Sequence, residues 1–259
     1  EGLLLLEEPE MSLNSEIVRQ IPALMHKLAG KQGRQVIVST HSAALLSDEG
    51  IGLEEVLLLI PHGEGTDVRP ATSFKEATAL VEGGIPVAEI TMTVPGAVTV
   101  IERCAAHFGD RITLGAGSVT SADMCTEVID AGSVFVVTPV FKAGVIDVCK
   151  HRGVCVVVGA LTPTEIFTAW EAGADVVKVF PAKAMGGAAY LRMVHEPLPQ
   201  IPLTPTGGVT LETLADYFKA GVPFVGAGGD LVSKQAIDAG DTQAITKRAR
   251  QYVAAIRAA

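Results

Sequence analysis

A chain of 259 residues with 48% hydrophobic and 19% charged side chains can bury one large α/β core or two smaller ones. A formal net charge of −9 and a single tryptophan argue against a nucleic-acid surface, which needs clustered Lys/Arg and stacking aromatics. No apolar run reaches the ~18 residues of a membrane span, so neither nucleic acid nor membrane is expected as a partner.

Cys104, Cys125, Cys149 and Cys155 show no C-x-x-C spacing. In a chain this long they are expected as reduced, buried thiols of a cytoplasmic protein. The run Leu3 to Leu6 is too short for a signal sequence and lacks a basic flank. Because the chain opens on Glu1 and not on methionine, its natural start is expected upstream.

Leu3 to Leu6, followed by Glu7-Glu8-Pro9-Glu10, predicts an apolar strand ending in acidic residues. A helical stretch follows from Ser15 to Leu28. Gln35 to Ser42 reads as a second strand ending near His41, and Val56 to Ile60 as a third. Pro61 to Thr66 has the composition of a linker. We therefore divide the chain into residues 1–62 and 63–259.

From residue 73 a rhythm sets in. Gly84, Gly109, Gly132, Gly153, Gly173 and Gly221 each close a helical pattern, and a β-branched apolar run follows each of them. The double-length gap after Gly173 holds one further strand, Ile201 to Gly207. Thr162-Pro163-Thr164-Glu165 is a capping box with proline at the first helical position. Serial βα units imply parallel strands with right-handed crossovers. Seven such units favour a (β/α)8 TIM barrel with an amino-terminal α/β extension, and an open doubly wound sheet is the alternative. The remaining barrel strand is expected near Asp67-Val68-Arg69.

Strand carboxyl ends form the functional rim of such a barrel. They carry Glu89, Ser118, Thr138-Pro139, Gly159, Lys178, Thr206-Gly207-Gly208 and Gly228-Gly229. Lys178 sits inside the apolar run from Val176 to Ala182. Burial there would lower its pKa and make the amine a nucleophile for carbonyl carbon. The plainer reading is a strand-end lysine whose ammonium reaches water. Glu89 could carry protons for imine chemistry, or simply cap a neighbouring amide. The glycine pairs let backbone N–H groups approach a phosphate, although tight βα turns also need them.

Four segments then carry a resemblance. They are Gly83 to Thr91, Gly115 to Val119, Val177 to Ala182 and Pro205 to Val209. With them, residues from about 68 to 259 resemble the class I 2-keto-3-deoxy-6-phosphogluconate / 4-hydroxy-2-oxoglutarate aldolases. The resemblance implies that Lys178 forms a Schiff base with a keto acid and that Glu89 is the general acid/base. It implies that Ser118 and Thr206 hold the pyruvoyl part while Pro139 and Phe180 pack around it. Gly207, Gly208, Gly228 and Gly229 would face a distal phosphate. Thr93 stands where the family commonly has an arginine, and Ser118 where it more usually has threonine. No cofactor or metal is implied, and family members are typically homotrimers.

Residues 1–60 resemble the rear half of an ABC/AAA-type ATPase. Leu3 to Glu8 is similar to its Walker B strand, Ser12-Leu13 to the following loop, and Ser39-Thr40-His41-Ser42 to its switch histidine. No G-x-x-x-x-G-K-[ST] loop exists in the chain, so Glu8 and His41 are expected to catalyse nothing. The expectation for the whole is a class I aldolase. The alternatives are an inactive ATPase–aldolase chimera and a phosphate-binding barrel of another activity.

Overall fold

The computed structural model describes residues 3–7, 15–18, 20–32, 35–40, 57–62, 65–70 and 74–259 except Pro95. Glu8, Ser12, Leu13, His41 and Ser42 lie outside the described residues. The chain divides into two compact units, Glu1–Ser73 and Phe74–Ala259.

In the first unit, β1 (Leu3–Glu7) pairs in parallel with β2 (Gln35–Ser39), from Leu3↔Gln35 to Glu7↔Ser39. Helices α1 (Ser15–Val18) and α2 (Ile21–Gln32) lie between them in sequence. The remaining strands, β3 (Leu57–His62) and β4 (Gly65–Pro70), form an antiparallel hairpin that closes at His62↔Gly65.

That hairpin corrects two expectations. Pro61 to Thr66 is not a linker, because four of its residues belong to the hairpin ladder. Asp67 to Arg69 form a strand, but one that pairs with Leu58 to Ile60 instead of opening the barrel. The physical reason is proximity: an antiparallel partner needs only a tight turn, whereas a parallel partner must be reached by a long crossover.

In the second unit the elements alternate. They run α3 (Lys75–Glu82), β5 (Val87–Thr91), α4 (Ala97–Phe108), β6 (Thr113–Gly117), α5 (Ala122–Asp130), β7 (Phe135–Val137) and α6 (Ala143–Arg152). They continue β8 (Cys155–Ala160), α7 (Pro163–Glu171), β9 (Val176–Val179), α8 (Ala188–His195), β10 (Leu203–Pro205), α9 (Leu214–Lys219), α10 (Lys234–Ala239) and α11 (Thr242–Ala258). β5 to β10 pair in sequence order, all parallel, as one six-stranded α/β sheet. Beyond β10 the run Val222 to Gly229 contributes only a parallel bridge, Gly226 to Thr206. Pro223 has no N–H to give a ladder, and the glycines have no side chain to pack.

Local signals set these boundaries. All six glycines of the rhythm adopt positive φ, from 50° at Gly109 to 105° at Gly132. The Thr162 hydroxyl accepts from Glu165 N, and the Glu165 carboxylate accepts from Thr162 N at 2.8 Å, with Pro163 opening α7.

One face of each strand is sealed by helices. Val136, Val156, Val158, Val177, Val179 and Leu203 are buried there, against Ile101, Val128, Ile146 and Ile166 from the helices. Each such side chain contributes about 2 kcal/mol of burial. Cys125 and Cys149 are buried in the same layer with their sulfurs 3.4 Å apart. Cys155 departs from the expectation of buried thiols: it is exposed. It is the first residue of β8, on the opposite face of the strand from buried Val156.

Candidate active site

Strand register decides which side chains meet on that second face. Lys178 pairs with Gly159 on β8 and with Thr204 on β10, and Glu89 pairs with Gly115 on β6. Residues two apart share a face, so Thr91 and Gly117 join the same surface. A nucleophile candidate from β9 and a carboxyl group from β5 are thus brought close enough for their charges to interact.

Two missing side chains make room for them. A Cβ at Gly117 would overlap the Glu89 carboxyl group, so glycine there lets Glu89 lie across β6. A Cβ at Gly159 would strike the backbone of Thr138 and Pro139. Gly159 therefore lets that turn fold onto β8, and its N–H donates to the Thr138 hydroxyl at 3.0 Å. This contact sets Pro139 at the rim.

Lys178 is 8% exposed. Desolvation pushes its amine below the ordinary lysine value, and the nearby Glu89 charge partly lifts it back. Desolvation pushes the Glu89 carboxyl up, and Lys178 pulls it partly down. Glu89 still shows solvent an exposed edge, because β5 is the outermost strand of the sheet. Crowding by protein atoms, not full enclosure, raises its pKa. The Lys178 ammonium also lies 5.1 Å from the centroid of the half-exposed Phe180 ring.

The hydroxyl candidates are placed unequally. Ser118, directly after β6, has φ 59°, the left-handed region that costs a non-glycine residue about 1 kcal/mol or more. Such strain is typical of functional rims. Thr206, directly after β10, buries its hydroxyl without a hydrogen-bond partner among the described residues. An unmet buried hydroxyl costs about 1–3 kcal/mol, which a bound ligand would recover. Thr93 is exposed just beyond β5, and its hydroxyl shares a 2.8 Å hydrogen bond with that of Thr91.

Gly207 and Gly208 have φ 82° and 85°. The Phe180 ring packs on Gly207 and the Lys183 stem on Gly208, where a side chain would intrude. Gly228 and Gly229 border open space. Sequence reasoning missed the two side chains that brace these turns. One is Lys183. The other is Asp230, whose carboxylate accepts from Leu211 N at 3.2 Å, from Arg248 Nη2 at 2.7 and 2.8 Å on its two oxygens, and from the Tyr252 hydroxyl, while Arg248 Nε donates to the Asp230 backbone O at 3.2 Å. Burial alone would raise the Asp230 pKa, but the Tyr252 and Arg248 hydrogen bonds outweigh it and hold the group below its ordinary value. The four-residue spacing of Arg248 and Tyr252 on α11, after an aspartate beside a glycine pair, was the available signal.

A desolvated amine near a carboxyl group whose pKa is raised, on the open face of a parallel α/β sheet, is a candidate site for covalent carbonyl chemistry. Comparison with known proteins is specific. The family model for KDPG and KHG aldolase matches residues 67–248. The 2-dehydro-3-deoxy-phosphogluconate aldolase of Pseudoalteromonas atlantica is 33% identical over 188 residues, 73% of this chain and 86% of that protein. The 2-dehydro-3-deoxy-6-phosphogalactonate aldolase of Escherichia coli K12 is 32% identical over 192 residues, 74% of this chain and 90% of that protein. Among solved structures, the KDPG aldolase of Legionella pneumophila, with pyruvate captured as a covalent carbinolamine, superimposes with a TM-score of 0.65 at 28% identity. The match covers 69% of this chain and 86% of that one. The chain belongs to the KDPG and KHG aldolase family. Separately, residues 1–47 match a family model described as AAA domain, putative AbiEii toxin, Type IV TA system.

Proposed function

We propose that this chain is a class I aldolase that cleaves a 2-keto-3-deoxy acid to pyruvate and an aldehyde. The observation that carries the reading is the burial of Lys178, which holds its amine below the usual lysine range. A neutral Lys178 Nζ attacks the keto carbon. Glu89 gives a proton to the departing hydroxyl, and an iminium forms with loss of water. The iminium draws in the electrons of the C3–C4 bond as the C4 hydroxyl loses its proton, and the aldehyde leaves. The resulting enamine is protonated at C3, and water then releases pyruvate and the free lysine. Glu89 serves these transfers because desolvation raises its pKa above the ordinary carboxylate value, which makes it a better proton carrier than an exposed glutamate.

In this reading Ser118, Thr206 and Thr93 face the pyruvoyl end, and Pro139 and Phe180 pack beside it. The glycine turns 207–208 and 228–229 face a phosphorylated tail. The aldehyde is glyceraldehyde 3-phosphate or glyoxylate. Closure of the sheet into a full (β/α)8 barrel, a homotrimeric assembly, a cytoplasmic location, and a division into an ATPase-like 1–62 and an aldolase 63–259 belong to the same proposal.

The test is pyruvate release from either keto acid, followed with and without a chelator. Release in the chelator, absent in Lys178→Ala, is the expected result. Activity lost in the chelator would point to a metal-dependent aldolase and end the proposal.

One observation favours a second reading. Residues 67–70, where the aldolase match begins, are held in the β3–β4 hairpin. A barrel short of its first strand would be an inactive binding module. A cooperative melting transition shifted upward by pyruvate counts against that.

A further inference from the structure

We propose that Cys125 and Cys149 form an oxidation site: a peroxide converts the two thiols into a disulfide that fastens α5 to α6, and a dithiol reductant opens it again. The inference goes beyond the aldolase reading and does not depend on it. The two sulfurs lie 3.4 Å apart, one on each helix and 24 positions apart in sequence. A disulfide needs about 2 Å, so the pair is in contact and about 1.4 Å short of bonding. The helices are held side by side at both ends. Near their starts, a Cβ at Gly144 would lie 3.7 Å from the Ala122 Cβ. At their last residues, Arg152 Nη2 meets the Asp130 carboxylate at 2.5 Å.

The contact gives the two thiols different roles. A hydrogen bond from Cys149 pushes the Cys125 pKa down, and Arg152 adds to this against the cost of burial. The same hydrogen bond, together with burial, pushes the Cys149 pKa up. Cys125 is therefore the first to reach the thiolate, the form that attacks peroxide. Its sulfur takes one oxygen as the O–O bond breaks, and the other oxygen leaves as water. The Cys149 sulfur then attacks the sulfenic sulfur, the S–S bond forms, and the second oxygen leaves as water with the Cys149 proton. Two thiols and one hydrogen peroxide thus give one disulfide and two waters, with two electrons passing from sulfur to oxygen.

Burial selects the oxidant. Both sulfurs of the pair are sealed in the core, so a small uncharged peroxide suits the site and a bulky disulfide reagent does not. Cys155, at the start of β8, is exposed and open to either. Cys104 on α4 is buried as well, and desolvation pushes its thiol up, so it serves as the sealed control. The cross-link would tie together two helices that follow the rim: α5 begins after the Ser118 turn, and α6 after Pro139. It would also remove freedom from the unfolded chain, which raises stability.

The test treats the full chain carrying Cys155→Ser, which cannot cross-link to other chains through its exposed thiol, with hydrogen peroxide. Remaining thiols are then blocked, and peptides are mapped without reductant. The expected product joins the Cys125 and Cys149 peptides, is lighter by two hydrogens, and reverts with dithiothreitol, while Cys104 stays a free thiol. The oxidised protein should melt about 5–10 °C above the reduced one, and Cys149→Ser in the same background should show no such shift. If Cys149→Ser fails to fold, the reduced and oxidised forms of the parent still supply the comparison. Thiols that stay reduced, thiols oxidised singly to sulfinic acid, or a disulfide that leaves melting unchanged or lowers it would each overturn the proposal.

Discussion

β9 and β5 carry Lys178 and Glu89, the two side chains to which the proposed reading gives the chemistry, and they treat them differently. β9 lies inside the sheet, paired on both sides, and it encloses Lys178 to 8% exposure. β5 is the outer strand, so Glu89 keeps an exposed edge and Val87 is 50% exposed. A strand paired on both sides thus desolvates its lysine more completely than a strand paired on one side desolvates its carboxyl group. The same contrast separates the two ends that the proposed reading turns toward anions. The Lys183 stem lies over Gly208, while the described residues just beyond β5 present the Thr91–Thr93 hydroxyl pair.

The largest effect is expected from removing the enclosed amine. Lys178→Ala should lower kcat/KM by at least about 10³-fold while the protein still folds, because the amine that forms the imine in the proposed reading is gone. Activity within about tenfold of wild type would mean that β9 is only scaffolding. Next comes the edge. Glu89→Gln should cost about 10²–10³-fold in kcat, with a smaller effect on KM. It should also alter the pH profile in a defined direction. Adduct formation in wild type rises with pH as the Lys178 amine loses its proton, with a midpoint below the ordinary 10.5. The Glu89 charge holds that midpoint up, so Glu89→Gln should move it lower still. An upward move would contradict the coupling between the strands.

Introducing a cation at the poorer end tests the contrast from the other side. Thr93→Arg should tighten pyruvate binding by about tenfold, the worth of one charge-assisted contact to a carboxylate. An unchanged affinity would mean that the carboxylate is held elsewhere on the rim.

Smaller still are the braces. Asp230→Asn should destabilise the fold by about 2 kcal/mol, since Arg248 and Tyr252 lose their charged acceptor. Because the folded pKa of Asp230 is depressed, its contribution is present above the ordinary 3.8 and is lost as pH falls through the lower folded value. Melting curves of the variant should therefore be flatter over that acid range than those of wild type. The least effect is expected from Thr162→Ala, about 1 kcal/mol from the opened capping box of α7.

These residues also mark what could be read from the sequence. The capping box, the six positive-φ glycines and the alternation that puts Lys178 on the opposite side of β9 from Val177 and Val179 are local facts. They follow from spacing along one helix or one strand, and spacing is printed in the chain. The first strand was misread because pairing is a choice between partners. Asp67 to Arg69 look equally strand-like whether β3 or a barrel neighbour receives them. The strand after β10 was overread because its apolar residues outweighed Pro223 and three glycines. Lys183 and Asp230 were passed over because each gains meaning only from a turn distant in sequence: Gly208 for the one, Leu211 for the other.

The central claim is that Lys178 is the covalent nucleophile, and borohydride reduction in the presence of pyruvate tests it most directly. Peptide mass mapping should find one reduced pyruvate adduct, on the peptide containing Lys178, and none in Lys178→Ala. An adduct on another lysine, or no adduct in the wild-type protein, would contradict the account.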